Sequence, residues 1–188
     1  MDPIEQFKAD RDHARTASDP MANLCTVGHN GDVSAELRTL VLRDIGDELA
    51  IFINATSPKW DLLSRTASIL TFWPSVQIQY RLLANTTPID PAIVEESWLL
   101  RPDPPKRMDW FYTKHSAQSS PIADRATLLD ELQNLRISEP FVAPETARGL
   151  TLNLRRVERL DLGMDNGIHD RRLFIQNESG WNEQTLVP

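Results

Sequence analysis

The chain has 188 residues, 40% of them hydrophobic and 25% charged, with a net charge of -7 at pH 7. These are the proportions of a folded globular chain, neither disordered nor a coiled coil, and the length suits one domain spanning 1–188. The negative charge argues against broad binding to nucleic acid or anionic lipid, the lone Cys25 excludes an intrachain disulfide and a multi-thiolate metal site, and no run reaches the roughly 18 apolar residues of a membrane span, so a cytoplasmic setting is expected.

Asp2 and Pro3 read as the N-cap and first position of a helix with Ile4, Phe7, Arg11 and Ala14 at helical spacing, a surface helix with a narrow apolar stripe. After Ser18-Asp19-Pro20 the pattern turns extended: a strand from Ala22 to Gly28, a tight turn at Asn30-Gly31, and a second strand from Val33 to Arg43. Asp44 to Glu48 reads as another turn, and Leu49 to Ile53 as a buried strand. Ser57 and Pro58 then predict an N-cap and first helical position, with Trp60, Leu62 and Leu63 packing inward.

ILTFW predicts a further strand, and VQIQYRLL alternates Val76, Ile78, Tyr80 and Leu82 with Gln77, Gln79 and Arg81, the cleanest two-faced strand in the chain. A helical middle follows: one helix from Asp90 ending before Arg101-Pro102, one over KRMDWFYTKH, and one over ADRATLLDELQNL with Leu128, Leu129, Leu132 and Leu135 on one side. Strands return in GLTLNLRRVERLDL, RRLFIQN and WNEQTLV. This order predicts an α+β chain, an antiparallel barrel with helices packed outside it.

Metal is not expected. His13, His29, His115 and His169 are scattered, and neither an HExxH run nor a Cys-His cluster is present. GxSxG, Walker and GxGxxG motifs are also absent. What remains is a set of cations and amides at strand ends and helix starts. Arg38 and Arg43 either fork onto a phosphate or snorkel to water, and five positions apart they meet one ligand only where the strand is interrupted. Ser57-Pro58-Lys59 at a helix start is either a phosphate cradle or simply a cap. Gln77, Gln79 and Arg81 share a face that either meets solvent or hydrogen-bonds the rim of a flat ring; Gln118-Ser119-Ser120 caps the helical region or touches a ligand.

Taken in order, the segments DP, LRTLVLR, FINATSPK, FWPSVQIQYR, WLLRP, AQSS, HDRRLF and GWNEQTLVP make the chain resemble the pyridoxamine 5′-phosphate oxidase family over almost its whole length. That resemblance implies an antiparallel split β-barrel of Greek-key type that binds FMN at a homodimer interface. It implies that Arg38 and Lys59, with Arg43 and Ser57 in the same cofactor site, hold the FMN phosphate. Gln79 would contact the isoalloxazine ring, and Gln118 and Ser119 would reach the flavin from the partner subunit. Arg171 would help hold it, His169 would stand on the substrate side as the catalytic residue, and Arg101 would grip the substrate's phosphate.

The departures are as specific. Arg43 stands where the family has Lys, Phe52-Ile53 where it has Tyr-Thr, Pro58 where it has Arg, and Leu160 or Asp161 where it has Trp. On the substrate side Gly167 replaces an Arg, Ser97 stands near the expected Tyr, and Pro105 near the expected Ser. The first function implied is an FMN-dependent oxidoreductase that transfers a hydride to the flavin from a small molecule resembling, without having to be, pyridoxamine or pyridoxine 5′-phosphate. The second is a flavin-binding carrier or sensor without oxidase turnover, and the third a barrel that has lost FMN.

Overall fold

The computed structural model describes residues 2–30, 35–137 and 140–188. Helix α1 (Pro3–Thr16) starts as expected, the Asp2 carboxylate accepting the Ile4 N–H at 2.7 Å with Pro3 behind it. Strands β1 (Leu24–Asn30), β2 (Ala35–Val41), β3 (Arg43–Ile45) and β4 (Glu48–Asn54) follow, then α2 (Trp60–Leu63), β5 (Thr66–Trp73) and β6 (Ile78–Pro88). The helical middle is α3 (Pro91–Leu99), α4 (Asp103–Lys114) and α5 (Arg125–Asn134), and β7 (Ala147–Asp161), β8 (Asp170–Asn177) and β9 (Gly180–Leu186) close the chain. The turn expected at Asn30-Gly31 falls on 31–34, outside the described residues.

All pairings among these strands are antiparallel, in the order β2-β1-β5-β6-β7-β4-β3. β7 organises the sheet because its 15 residues run along β6 while its first part pairs with β4 and its last part with β8. A strand that long serves two neighbours on one edge only if the sheet coils, and the curled half-barrel encloses Val27, Ile51, Trp73, Leu150 and Val157, each 1% exposed or less. A smaller cluster, Ala50, Ile89, Val94, Trp98 and Ala147, packs α3 onto the other face of β4 and β7.

α1 is buried more deeply than its apolar stripe alone predicts. Phe7 lies 5.3 Å from the Trp73 ring and 4.9 Å from that of Tyr80. One turn on, the Asp10 carboxylate accepts the Tyr80 hydroxyl at 2.6 Å and Arg159 Nε at 2.7 Å. Burial, and then the hydrogen bond to the Asp10 carboxylate, push the Tyr80 phenol above its ordinary range. Arg11 is 1% exposed and donates to the carbonyls of Ala22 and Leu42 and to the side chains of Asn23 and Asp44.

Several expectations are corrected. The strand over Val33 to Arg43 breaks at Leu42, whose N–H donates to the Asn23 carbonyl while its own carbonyl accepts from Arg11, so Arg43 begins β3 instead of ending β2. The turn after it shortens correspondingly, with Gly46 at φ 56°. The helix expected from Ser57 is a four-residue turn whose N-cap is Lys59, and Pro58 lies outside it. Ser57 and Pro58 instead belong to a turn in which the Ser57 N–H donates to the Asn54 carbonyl, so the cradle at a helix start does not form. Gln77 precedes β6 at φ 56°, and only Gln79 and Arg81 share the strand face. No residue of α5 is buried; of its leucine stripe only Leu135, just beyond the helix, is.

Candidate functional site

A cavity of about 640 Å³ opens beside β2 and β4 against α3 and α4. Its walls collect Arg38, Arg43, Ser57, Lys59, Arg101, Gln118 and Ser119, seven of the residues singled out in the sequence. The interruption at Leu42 is what brings Arg38 and Arg43 together, as five positions along a regular strand would have set them on opposite faces. Gln118 and Ser119, expected from a partner subunit, reach the cavity from the same chain.

The cavity has two ends of different character. At the barrel end, register sets Arg38 opposite Val27 and Glu36 opposite His29, on the face of β1 that turns into the barrel. The Lys59 ammonium lies 3.6 Å from the Glu36 carboxylate, and His29 Nε2 is 3.8 Å from the same oxygen, beyond hydrogen-bond distance. The His29 side chain is 7% exposed, and both its ring nitrogens lack a partner. Arg148, opposite Ile53 in the β4–β7 ladder, points to the barrel side as well.

The turn from Asn54 to Lys59 is held by its own polar groups. Asn54 Oδ1 accepts the Thr56 N–H at 3.0 Å and its hydroxyl at 2.8 Å, while the Ser57 hydroxyl accepts the Lys59 N–H at 3.4 Å. The Gln118 N–H then donates to Thr56 Oγ1 at 3.0 Å, which ties the segment after α4 to this turn. Ser119 sits at φ 75°, a left-handed conformation costly for a side-chain-bearing residue. Gln118 Oε1 is buried without a partner.

At the α3–α4 end one carboxylate dominates. Asp109 Oδ2 accepts from Trp98 Nε1 at 2.9 Å and from the Arg101 guanidinium, and Asn54 Nδ2 approaches Oδ1 at 3.5 Å. Burial, and then the Asp109 charge, hold the Tyr112 phenol above its usual range. Arg43, opposite Ala50 and so on the Phe52 face of β4, lies 5.8 Å from the Phe52 ring centre in a cation–π contact.

Three expected site residues lie elsewhere. Gln79 and Arg171 are on the opposite, outward face of the sheet, where Arg171 forks onto Glu158 at 2.9 and 3.0 Å. His169 is exposed in the segment before β8. None of the three lines the cavity. Conversely, His29, Asp109 and Arg148 were not picked out from the sequence. Period-two alternation from Val27 would have turned His29 inward, but nothing local distinguishes Asp109 on α4 from a solvated acid. No group of three or more His, Cys, Asp or Glu side chains among the described residues could hold a metal ion, and no described helix is long and apolar enough to cross a membrane.

A curled antiparallel sheet with a cation-lined cavity at its open side defines a split β-barrel of the pyridoxamine 5′-phosphate oxidase-like type. PhzG from Burkholderia lata 383, solved in complex with tetrahydrophenazine-1-carboxylic acid, superposes at a TM-score of 0.84 with 21% identity, over 100% of this chain and 93% of that one. A pyridoxamine 5′-phosphate oxidase-related, FMN-binding protein from Nostoc punctiforme superposes at 0.77 with 17% identity, over 97% of each chain. No family model matches the chain. In sequence, pyridoxine/pyridoxamine 5′-phosphate oxidase of Deinococcus deserti is 30% identical over 199 residues, covering 100% of this chain and 89% of that protein. The chain belongs to the pyridoxine/pyridoxamine 5′-phosphate oxidase family.

Proposed function

We propose that this chain is an FMN-dependent oxidoreductase that seats the cofactor's phosphate at the barrel end of the cavity and its substrate toward α3 and α4. The observation that carries this is electrostatic. In a chain of net charge -7, the cavity wall holds Arg38, Arg43, Lys59, Arg101 and Arg148 against the Asp109 carboxylate, with the exposed Glu36 carboxylate 3.6 Å from Lys59 at the barrel end. A wall so biased focuses a positive field on an anionic guest.

The residues present fit FMN. His29 and Gln118 each hold buried polar atoms without a protein partner, a costly state that a polar ligand relieves. Arg38 offers a forked donor and Lys59 a point charge for a phosphate, with Ser57 beside them. Gln118 and Ser119, tied to the same turn, offer amide and hydroxyl groups to the polar edge of a ring. FMN, when bound, supplies an acceptor for a hydride. The chain's own part is to position substrate, stabilise developing negative charge and exclude water, with Arg101 assigned to the substrate side and His169, which does not line this chain's cavity, assigned there from a second copy.

The reading includes a homodimer. Gln79 and Arg171 lie on the outward sheet face, and in this reading a second copy presents them to the flavin. Supporting it, that face exposes Leu37, Leu70, Phe72, Leu83 and Ile175 around the buried Glu158 carboxylate and the arginines paired with it, Arg81, Arg156 and Arg171. A cytoplasmic location belongs to the same proposal, in keeping with the buried free thiol of Cys25, which burial pushes up to about 12.

The test is to purify the protein, release and identify any flavin on denaturation, and mix the loaded protein anaerobically with a panel of ring-bearing amines and alcohols. Loss of the visible flavin absorbance with one of them is expected. Flavin that binds but stays oxidised across the panel indicates the carrier reading, and a protein that takes up no FMN overturns the proposal.

A further inference from the structure

His29 stands on β1 two positions beyond Val27, and period-two alternation turns it into the barrel, where it meets the cavity wall. Its side chain is 7% exposed, and both ring nitrogens are closed to solvent without a hydrogen-bond partner among the described residues. A buried imidazole left that way costs free energy, which a group accepting from it recovers. Antiparallel register sets Glu36 directly across from it on β2, with Arg38 two positions further along the same face. The Glu36 carboxylate reaches over the ring: its Oε2 lies 3.6 Å from Lys59 Nζ and 3.8 Å from His29 Nε2. At these distances it hydrogen-bonds neither, so charge alone holds it, and its side chain is 53% exposed.

We infer that the phosphate of the cofactor displaces the Glu36 carboxylate from Lys59 and takes the His29 imidazole as a third donor beside Arg38 and Lys59. The inference rests on the FMN reading only for the molecule that carries the phosphate. An anionic oxygen already lies between the ammonium and the imidazole, so the position favours negative charge. A phosphate ester brings more charge and three acceptor oxygens, enough to serve Arg38, Lys59 and His29 together. Glu36 is free to leave: it stands on β2, at the end of the strand order, and regains water as it turns outward, whereas His29 and Lys59 stay enclosed. Glu36 is thus an internal competitor for the phosphate, and His29 the ligand that its departure uncovers. Two residues facing each other across one strand pair therefore act with opposite signs. Removing His29 weakens phosphate binding, and neutralising Glu36 strengthens it.

Dissociation constants of FMN and of riboflavin, the same flavin without its phosphate, are measured on stripped protein by fluorescence quenching. His29→Leu is expected to weaken FMN by about tenfold or more with riboflavin unchanged, and His29→Gln, which keeps an N–H donor, to restore most of the loss. Glu36→Gln is expected to tighten FMN by about fivefold, again without effect on riboflavin. Damage to the fold moves both flavins together. A second arm needs no flavin: the imidazole nitrogen signals of His29, assigned by their loss in His29→Gln, are followed by NMR while inorganic phosphate is titrated in at constant ionic strength. They are expected to shift and saturate. A wild-type FMN-to-riboflavin ratio in His29→Leu, a Glu36→Gln variant that binds FMN no more tightly than wild type, or His29 signals that ignore phosphate overturns the inference. Wild-type protein that takes up neither flavin contradicts the proposed function alone, and the phosphate titration then decides whether His29 binds the anion.

Discussion

Replacing Arg38 and Lys59 together by alanine is expected to yield a folded protein that no longer retains FMN. Each side chain presents charged donors at the barrel end of the cavity, and a hydrogen bond between charged groups contributes about 1.5–3 kcal/mol, so each single variant should weaken FMN by roughly tenfold to a hundredfold. Lys59→Ala should be the more severe. Lys59 is 9% exposed and offsets the Glu36 carboxylate 3.6 Å away, so its removal leaves a negative charge facing the phosphate as well as one contact fewer. Lys59→Arg keeps the charge and should retain most of the affinity. Lys8→Ala, on α1 beside Asp47 and outside the cavity, should leave it unchanged. Flavin fluorescence quenching on titration into stripped protein reads all four.

Arg11→Ala is expected to cost the fold, not the site. The guanidinium bridges α1 to the chain before β1 and to the break between β2 and β3 through the Ala22 and Leu42 carbonyls and the Asn23 and Asp44 side chains. Truncation leaves buried carbonyls without a donor and removes one of the two arginine partners of Asp44, the other being Arg15. Asp44 is exposed and keeps Arg15, so the cost comes mainly from the orphaned buried carbonyls, about 1–3 kcal/mol each, which for a chain of this size lowers Tm by roughly 10 °C. Below the transition FMN affinity should be close to wild type, because Arg11 does not line the cavity. A variant that unfolds at the wild-type temperature would show that the α1 anchor contributes little.

The same residue illustrates what the sequence conceals. Arg11 occupies an apolar helical register beside Phe7 and Ala14, and spacing alone reports that the position faces inward without saying that the barrel offers it four acceptors. Where local chemistry decides, sequence and structure agree: Asp2-Pro3 opens a helix through a carboxylate cap, a helix starts at Asp90, and the alternation of Ile78, Tyr80 and Leu82 with Gln79 and Arg81 appears directly in the burial of β6. Ser57-Pro58 carries the same helix-start signature and yields only a turn, because the Asn54 side chain accepts the Thr56 N–H and the Asn54 carbonyl the Ser57 N–H. α5 has a regular leucine stripe, yet Leu128 and Leu132 are only half-buried and Leu129 is exposed, the helix being tied to α4 mainly through Arg107 and the Leu132 and Leu135 carbonyls.

The site divides along the same line. Arg38, Lys59, Arg101 and Gln118 were legible because each lies in a segment that resembles the family in order. Gln79 and Arg171 were legible as residue types, but their separation from the cavity is a property of sheet faces, visible only once β6, β7 and β8 are paired. Asp109 was silent because its significance is relational: an acid on a helix becomes a determinant of charge only when Arg101 and Trp98 meet it.

Comparing FMN with riboflavin, which shares the ring but lacks the phosphate, tests the central claim most directly. With the phosphate seated at Arg38 and Lys59, stripped protein should bind FMN about a hundredfold or more tighter than riboflavin, and that preference should collapse in the Arg38→Ala, Lys59→Ala variant. Equal affinity for the two flavins, or a preference that survives in the double variant, would contradict the assignment of this cavity as the cofactor site.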